Sequence, residues 1–141
     1  MKFLIAALVC LAAVWAAHAQ SDGNGSAPAV SRTTLAREEP DGTITESPEK
    51  FRPTDVPVIC YVDLTTDDPV EVRLSIIAVR AVGLRPESKV VTVRYRTKNG
   101  ENAVTFNVRP EGRWAAGSYR ADVFLNGKIA DSVSFEVAAP R

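Results

Sequence analysis

Apolar and polar residues alternate with a period of two along the C-terminal part of the chain. In the stretch Trp114–Val137, Tyr119, Ala121, Val123 and Leu125 alternate with Ser118, Arg120, Asp122 and Phe124. After Asn126-Gly127, Ile129, Asp131, Val133, Phe135 and Val137 alternate with Ala130, Ser132, Ser134 and Glu136. This period selects strands with one face to a core and the other to water. Asn-Gly between two such runs predicts a hairpin, because both residues accept the positive φ of a tight two-residue turn.

The same pattern recurs upstream. Val58, Cys60, Val62 and Leu64 alternate with Ile59, Tyr61 and Asp63, and Pro57 ahead of them suits a first or edge strand. Thr65–Pro69 is turn chemistry. Val70, Val72, Leu74 and Ile76 follow in phase until Ile76-Ile77 breaks the register, which predicts a bulge or the corner where a strand changes sheets. Gly83–Ser88 reads as a loop. Val91, Val93 and Tyr95 alternate with Thr92, Arg94 and Arg96, and Val104, Phe106 and Val108 with Thr105, Asn107 and Arg109. Lys98-Asn99-Gly100-Glu101 between those runs predicts a second hairpin. No helical period is sustained, so the fold class is all-β: an antiparallel β-sandwich of six to seven strands over residues 54–139.

The N-terminus reads differently. Lys2, the apolar run Phe3–Ala17 and Ala17-His18-Ala19 have the form of a signal peptide, residues 1–19, cleaved after Ala19. The run is too short for a spanning helix, and Cys10 lacks the small residue before it that lipid attachment requires. The expectation is a soluble exported protein, periplasmic or secreted, with no stable membrane insertion. Residues 20–53 are rich in Ser, Gly, Thr, Pro and charge with scattered apolar positions. They are expected to form a disordered linker, because burial there cannot offset the entropy of ordering. Thr43-Ile44-Thr45 is the one piece suited to pair with a sheet edge, and Asn24-Gly25-Ser26 matches a glycosylation sequon.

Loss of residues 1–19 removes the single His, one of two Cys and one of two Trp. It leaves 16 basic against 17 acidic residues, a balance that points to no class of partner. Cys60 then has no partner for an internal disulfide and no imidazole to activate it, and its phase is inward, so it reads as a buried structural cysteine. An intermolecular disulfide is the other course open to it. Asp63, Asp67 and Asp68 offer oxygen ligands but read as turn acids, so no metal or cofactor is expected. Asp131 interrupts an inward row and is expected at a solvated rim.

With Trp114-x-x-Gly117-x-Tyr119, Asn126-Gly127-Lys128 and Ser134-Phe135-Glu136-Val137 in view, the chain resembles the small immunoglobulin-like or fibronectin-III-like domains of exported bacterial proteins. The resemblance covers about the last 25 residues and implies that the final hairpin is the last strand pair of such a fold. It also implies a tyrosine corner at Tyr119, whose hydroxyl would bond a nearby backbone group. The cysteine pair and strand-C tryptophan of antibody-type domains are absent from the pattern. The fold hosts many unrelated roles, so it implies no activity.

Function is therefore sought on surfaces. Arg94, Arg96, Lys98 and Arg109 are expected on the outer face of one hairpin, joined by Arg120 and by Phe124 if their strand shares the sheet. From Val56 onward the count is 12 basic to 10 acidic, too small an excess for a nucleic-acid surface. The face suits an exported protein partner, through a sheet face or an added edge strand. Phe124 with Ile59 and Tyr61 would form an apolar patch if they were neighbours. The alternative is carbohydrate or small-ligand binding by the loops Gly83–Ser88 and Pro110–Ala116, where Trp114 either stacks on a sugar or, as its place beside Tyr119 favours, caps the core. No enzyme is expected.

Overall fold

The computed structural model describes residues 27–141. Among them are eight strands and no helix: β1 (Val30–Glu38), β2 (Ile44–Glu46), β3 (Val58–Leu64), β4 (Glu71–Ala81), β5 (Ser88–Arg96), β6 (Ala103–Val108), β7 (Gly117–Leu125) and β8 (Lys128–Val137). They form two antiparallel sheets, a first in the order β2-β1-β3-β6 and a second in the order β5-β4-β7-β8. The expected signal peptide and the Asn24 sequon lie outside the described residues.

The inward rows of both sheets make one core. Val58, Cys60, Val62 and Leu64 of β3 and Val104, Phe106 and Val108 of β6 contribute from the first sheet. Val72, Leu74 and Ile76 of β4 and Tyr119, Ala121, Val123 and Leu125 of β7 contribute from the second. Phe51, Trp114, Tyr119 and Phe135 form an aromatic cluster at one end, with Tyr119 and Phe135 stacked at 5.2 Å and Trp114 edge-on to Tyr119 at 5.6 Å.

The β7–β8 hairpin forms from Gly117↔Val137 to Leu125↔Lys128, but its register shifts between Val123 and Phe124, so Ile129, expected inward, pairs with Phe124 on the outer face and is exposed. Asn126 and Gly127 both take positive φ, 48° and 84°. The Asn126 side chain also accepts a hydrogen bond from the Glu71 N–H at 3.1 Å, tying the turn to the next strand. The β4–β5 register shifts between Ile76 and Ile77, where the broken alternation predicts it.

Three expectations are corrected. The first is the disordered linker over residues 20–53, because much of this segment belongs to the fold. β1 pairs with β3 from Val30↔Leu64 to Ala36↔Ile59, and β2 pairs with the end of β1. Phe51 is buried and hydrogen-bonded to the far end of β8, its N–H to the Glu136 carbonyl and its carbonyl to the Ala138 N–H. The strand count is therefore eight among the described residues rather than six to seven, and the folded part begins well before residue 54.

The second concerns β3. With β1 on one side and β6 on the other it is interior, not a first or edge strand. Pro57 is compatible with this because it precedes the strand and has no ladder bond to lose.

The third concerns the second Asn-Gly turn. β5 and β6 lie in different sheets, so Lys98–Glu101 is a crossover, not a hairpin turn. Its anchors are specific. Thr97 is buried and its hydroxyl accepts from the Val70 N–H at 2.8 Å. The Gly100 N–H donates to the Asp67 carbonyl at 2.8 Å and the Leu64 N–H to the Asn102 carbonyl at 2.8 Å. These bonds carry the chain from the second sheet to the first.

Candidate functional site

Most of the expected surface residues meet on the outer face of the second sheet, where the ladder sets them in rows. One row runs Arg94, Arg73, Phe124, Ile129 across β5, β4, β7 and β8. The next runs Thr92, Ser75, Asp122, Ser132, and a third runs Lys89, Ile77, Arg120, Ser134. Arg96 sits opposite Glu71 at the end of the face. Arg109 does not join them: it follows β6 of the first sheet, because the chain crosses over where a hairpin was expected. Ile59 and Tyr61 are also elsewhere, on β3 of the first sheet, so they form no patch with Phe124.

Arg120 is on the face but engaged within it. Its Nε donates to the Asp122 carboxylate at 2.8 Å and its Nη2 lies 3.1 Å from Glu87. Asp122 is buried, and the same carboxylate oxygen accepts from the Ser132 hydroxyl at 2.7 Å. The bond to Asp122, with that to Glu87, raises the Arg120 pKa further and holds the guanidinium charged. This cluster is a sheet fastening, and Arg120 has little left to offer a partner.

Arg73 is the residue that sequence reasoning passed over. Its guanidinium lies over the Phe124 ring, 4.1 Å from the centroid, in a cation–π contact. Its Nε is buried without a hydrogen-bond partner among the described residues. The signal was present in the sequence, since Arg73 alternates with Val72 and Leu74, but its meeting with Phe124 depends on β4 pairing with β7. Arg73 and Arg94 stand directly opposite on paired strands, and like charges so placed repel. Neither they nor Arg96 and Lys89 form an ion pair with any described residue.

The alternative loops, residues 83–88 and 110–116, do come together. With Lys89, Val90 and Tyr119 they line a pocket of about 290 Å³ at one end of the molecule. Trp114, however, is 2% exposed, packs against Tyr119 and Phe135, and donates its indole N–H to the Asp55 carbonyl at 2.9 Å. It forms part of the pocket floor and caps the core beside Tyr119, and it has no free face on which a sugar could stack.

Cys60 is buried, with its thiol pushed up to about 12 by burial and by the charge of Asp131. At neutral pH it is a protonated core side chain. Asp131 stands opposite Val123 on the inward register and is half-buried, which places it at the margin between the layers. Among the described residues no group of three or more His, Cys, Asp or Glu is arranged to hold a metal ion, and no helix is long and apolar enough to cross a membrane.

No family model matches the chain, and no curated protein matches it. Among solved structures it is similar to a β-glucosidase from Listeria innocua in complex with glucose, at 16% identity and a TM-score of 0.48 over 77% of this chain and 16% of that one. The same enzyme in complex with gluconolactone aligns at 16% identity with a TM-score of 0.47 over the same shares. An alkylpurine DNA glycosylase from Pseudomonas fluorescens, bound to DNA containing an abasic site analog, aligns at 15% identity with a TM-score of 0.45, over 82% of this chain and 31% of that one. The chain thus spans less than a third of the length of these proteins, and at this level neither activity nor partner transfers.

Proposed function

We propose that this is a non-enzymatic exported binding module, an immunoglobulin-like β-sandwich that serves in the periplasm or outside the cell as an accessory or assembly factor. It contacts a protein partner through the outer face or the β5 edge of the second sheet. The observation that carries this reading is the set of cations Lys89, Arg94, Arg96 and Arg73, grouped on one face without ion-pair partners among the described residues. The Tyr119 hydroxyl, which donates to the Ala115 carbonyl at 2.6 Å, supports the immunoglobulin-like assignment, since a tyrosine corner makes such a bond. The buried, protonated Cys60 favours binding over nucleophilic catalysis.

The test is affinity capture from an exported fraction with the folded chain as bait, followed by rebinding of the purified captured protein. Saturable rebinding that weakens with salt is the expected result, and capture of nothing at moderate salt overturns the reading. The loop pocket favours a second reading, recognition of a glycan or small ligand beside Arg113 and Lys89. A glycan panel in which Arg113→Ala abolishes a saturable signal would establish it.

A further inference from the structure

We propose that β5 is the docking edge, and that its partner is an extended acidic protein segment added to the second sheet as a fifth strand. This deepens the protein-binding reading and rests on it. β5 is the outermost strand of the second sheet, nine residues long, with β4 on one side and no described strand on the other. Among the described residues, no backbone bond outside the sheet ladder caps its residues 89–96. The other edges offer less. β2 has three residues, β6 has six, and β8 is closed at its far end by the hydrogen bonds of Phe51.

Three of the four outward side chains on β5 are cations: Lys89, Arg94 and Arg96, with Thr92 between. Side chains on one face of a strand repeat every second residue, about 6.6–6.8 Å apart, and an added strand lies about 4.8 Å away. An incoming segment with carboxylates at alternate positions therefore sets one beside each of Arg94 and Arg96. Arg73 supplies positive potential from the row behind, where Phe124 fixes its guanidinium. The groove between β5 and β6, about 340 Å³ and lined by Arg94, Tyr95, Glu101, Val104 and Phe106, leaves room for the segment's other face.

Charge at a sheet edge is also a device against self-association. Here the two roles agree. A second copy would bring its own Arg94 and Arg96 against these, whereas an acidic strand turns the same repulsion into attraction. A protein segment is favoured over a polyanionic glycan or nucleic acid. The free backbone groups of β5 call for peptide partners, and Phe124 lies beneath a guanidinium where it cannot stack on a ring.

The experiment measures fluorescence anisotropy of a labelled peptide of alternating Thr and Glu, as long as β5, with the mature chain. Saturable binding is expected, weakened about tenfold or more by Gln in place of Glu and by Arg94→Glu with Arg96→Glu. N-methylation of alternate peptide amides should abolish it, since that blocks ladder bonds while keeping the charge. Arg109→Glu, on the other sheet, should leave it unchanged. Arg94 and Arg96 are exposed, so an unaltered melting temperature shows that their variant folds.

No binding, equal binding of the Gln peptide, or indifference to N-methylation overturns the proposal. Displacement by a uronate oligosaccharide as effective as the Glu peptide also overturns it, in favour of a glycan. If the protein captured from the exported fraction binds the Arg94→Glu, Arg96→Glu variant as well as the native chain, this edge is excluded and the broader protein-binding reading stands.

Discussion

Gly117 and Tyr119 show how single residues set the local geometry. Gly117 has φ 148°, and a methyl group there would overlap the Arg80 carbonyl and the Ala81 Cα. Glycine is needed at this point because β7 begins in close approach to the end of β4. Two positions on, the Tyr119 hydroxyl bonds the Ala115 carbonyl. Tyr119→Phe should cost about 1 kcal/mol, the worth of one such bond, and Gly117→Ala should cost more, about 2–3 kcal/mol, because backbone must move. Urea denaturation midpoints of the two variants check both magnitudes and their order. The spacing of Gly117 and Tyr119 was legible as a motif. The contact that makes Gly117 necessary was not, since it comes from a strand thirty-odd residues earlier.

Cys60 gives a prediction in pH. Its folded-state pKa, about 12, exceeds the ordinary thiol value of 9.0. The unfolded chain therefore loses the proton first, so the contribution to stability is full below pH 9.0 and declines as pH rises toward 12. Cys60→Ala should flatten this alkaline decline relative to the native chain in melting curves. Thiol labelling of the native protein should proceed only as fast as the core opens.

At the scale of elements, β1 explains why an ordered segment resembled a linker. Its buried residues are Leu35 and Ala36, adjacent rather than alternating, and a register shift interrupts its pairing between Val30 and Arg32. Polar fastening supplies the rest. Arg37 lies 2.7 Å from Glu39, Arg52 lies 3.1 Å from Glu39 and 3.0 Å from the buried Asp55, and Thr45 donates to Glu39 at 2.9 Å. Such a network has no signature of period two, so only its residue types were visible in the sequence.

The bonds from Arg37 and Thr45 hold the Glu39 carboxyl below its ordinary value of 4.5. A lowered folded-state pKa means stability present above about 4.5 and lost as pH falls through the folded value. Melting temperature should therefore drop in that acid window, and Glu39→Gln should remove part of the dependence. The Lys98–Glu101 turn is the other misreading. Alternation gives the face of each strand but not its partner, and Thr97 and Gly100 decide the partner through bonds to residues far behind them.

For the whole molecule, the two layers and their shared core followed from the period of two alone. Where the domain begins did not. Removal of residues up to Thr54 takes away β1 and β2, uncovers one side of β3 and exposes the sites filled by Leu35 and Phe51. Burial of such side chains contributes about 1.5–3 kcal/mol each, set against a total stability of about 5–15 kcal/mol. A chain beginning at Thr54 should lack a cooperative melting transition, while one beginning at Ala27 should melt cooperatively. Circular dichroism of the two separates the outcomes.

The bond from the Trp114 indole to the Asp55 carbonyl has an optical consequence. In a chain prepared without residues 1–19, Trp114 is the sole indole chromophore, shielded from water and 5.6 Å from Tyr119 as an energy donor. Its emission maximum reports the polarity at the joint where the segment around Asp55 meets the end of the core. Detachment of that segment would red-shift the spectrum even while the strands persist in the far ultraviolet. The chain thus carries its own dye at the junction between its N-terminal strands and its final hairpin.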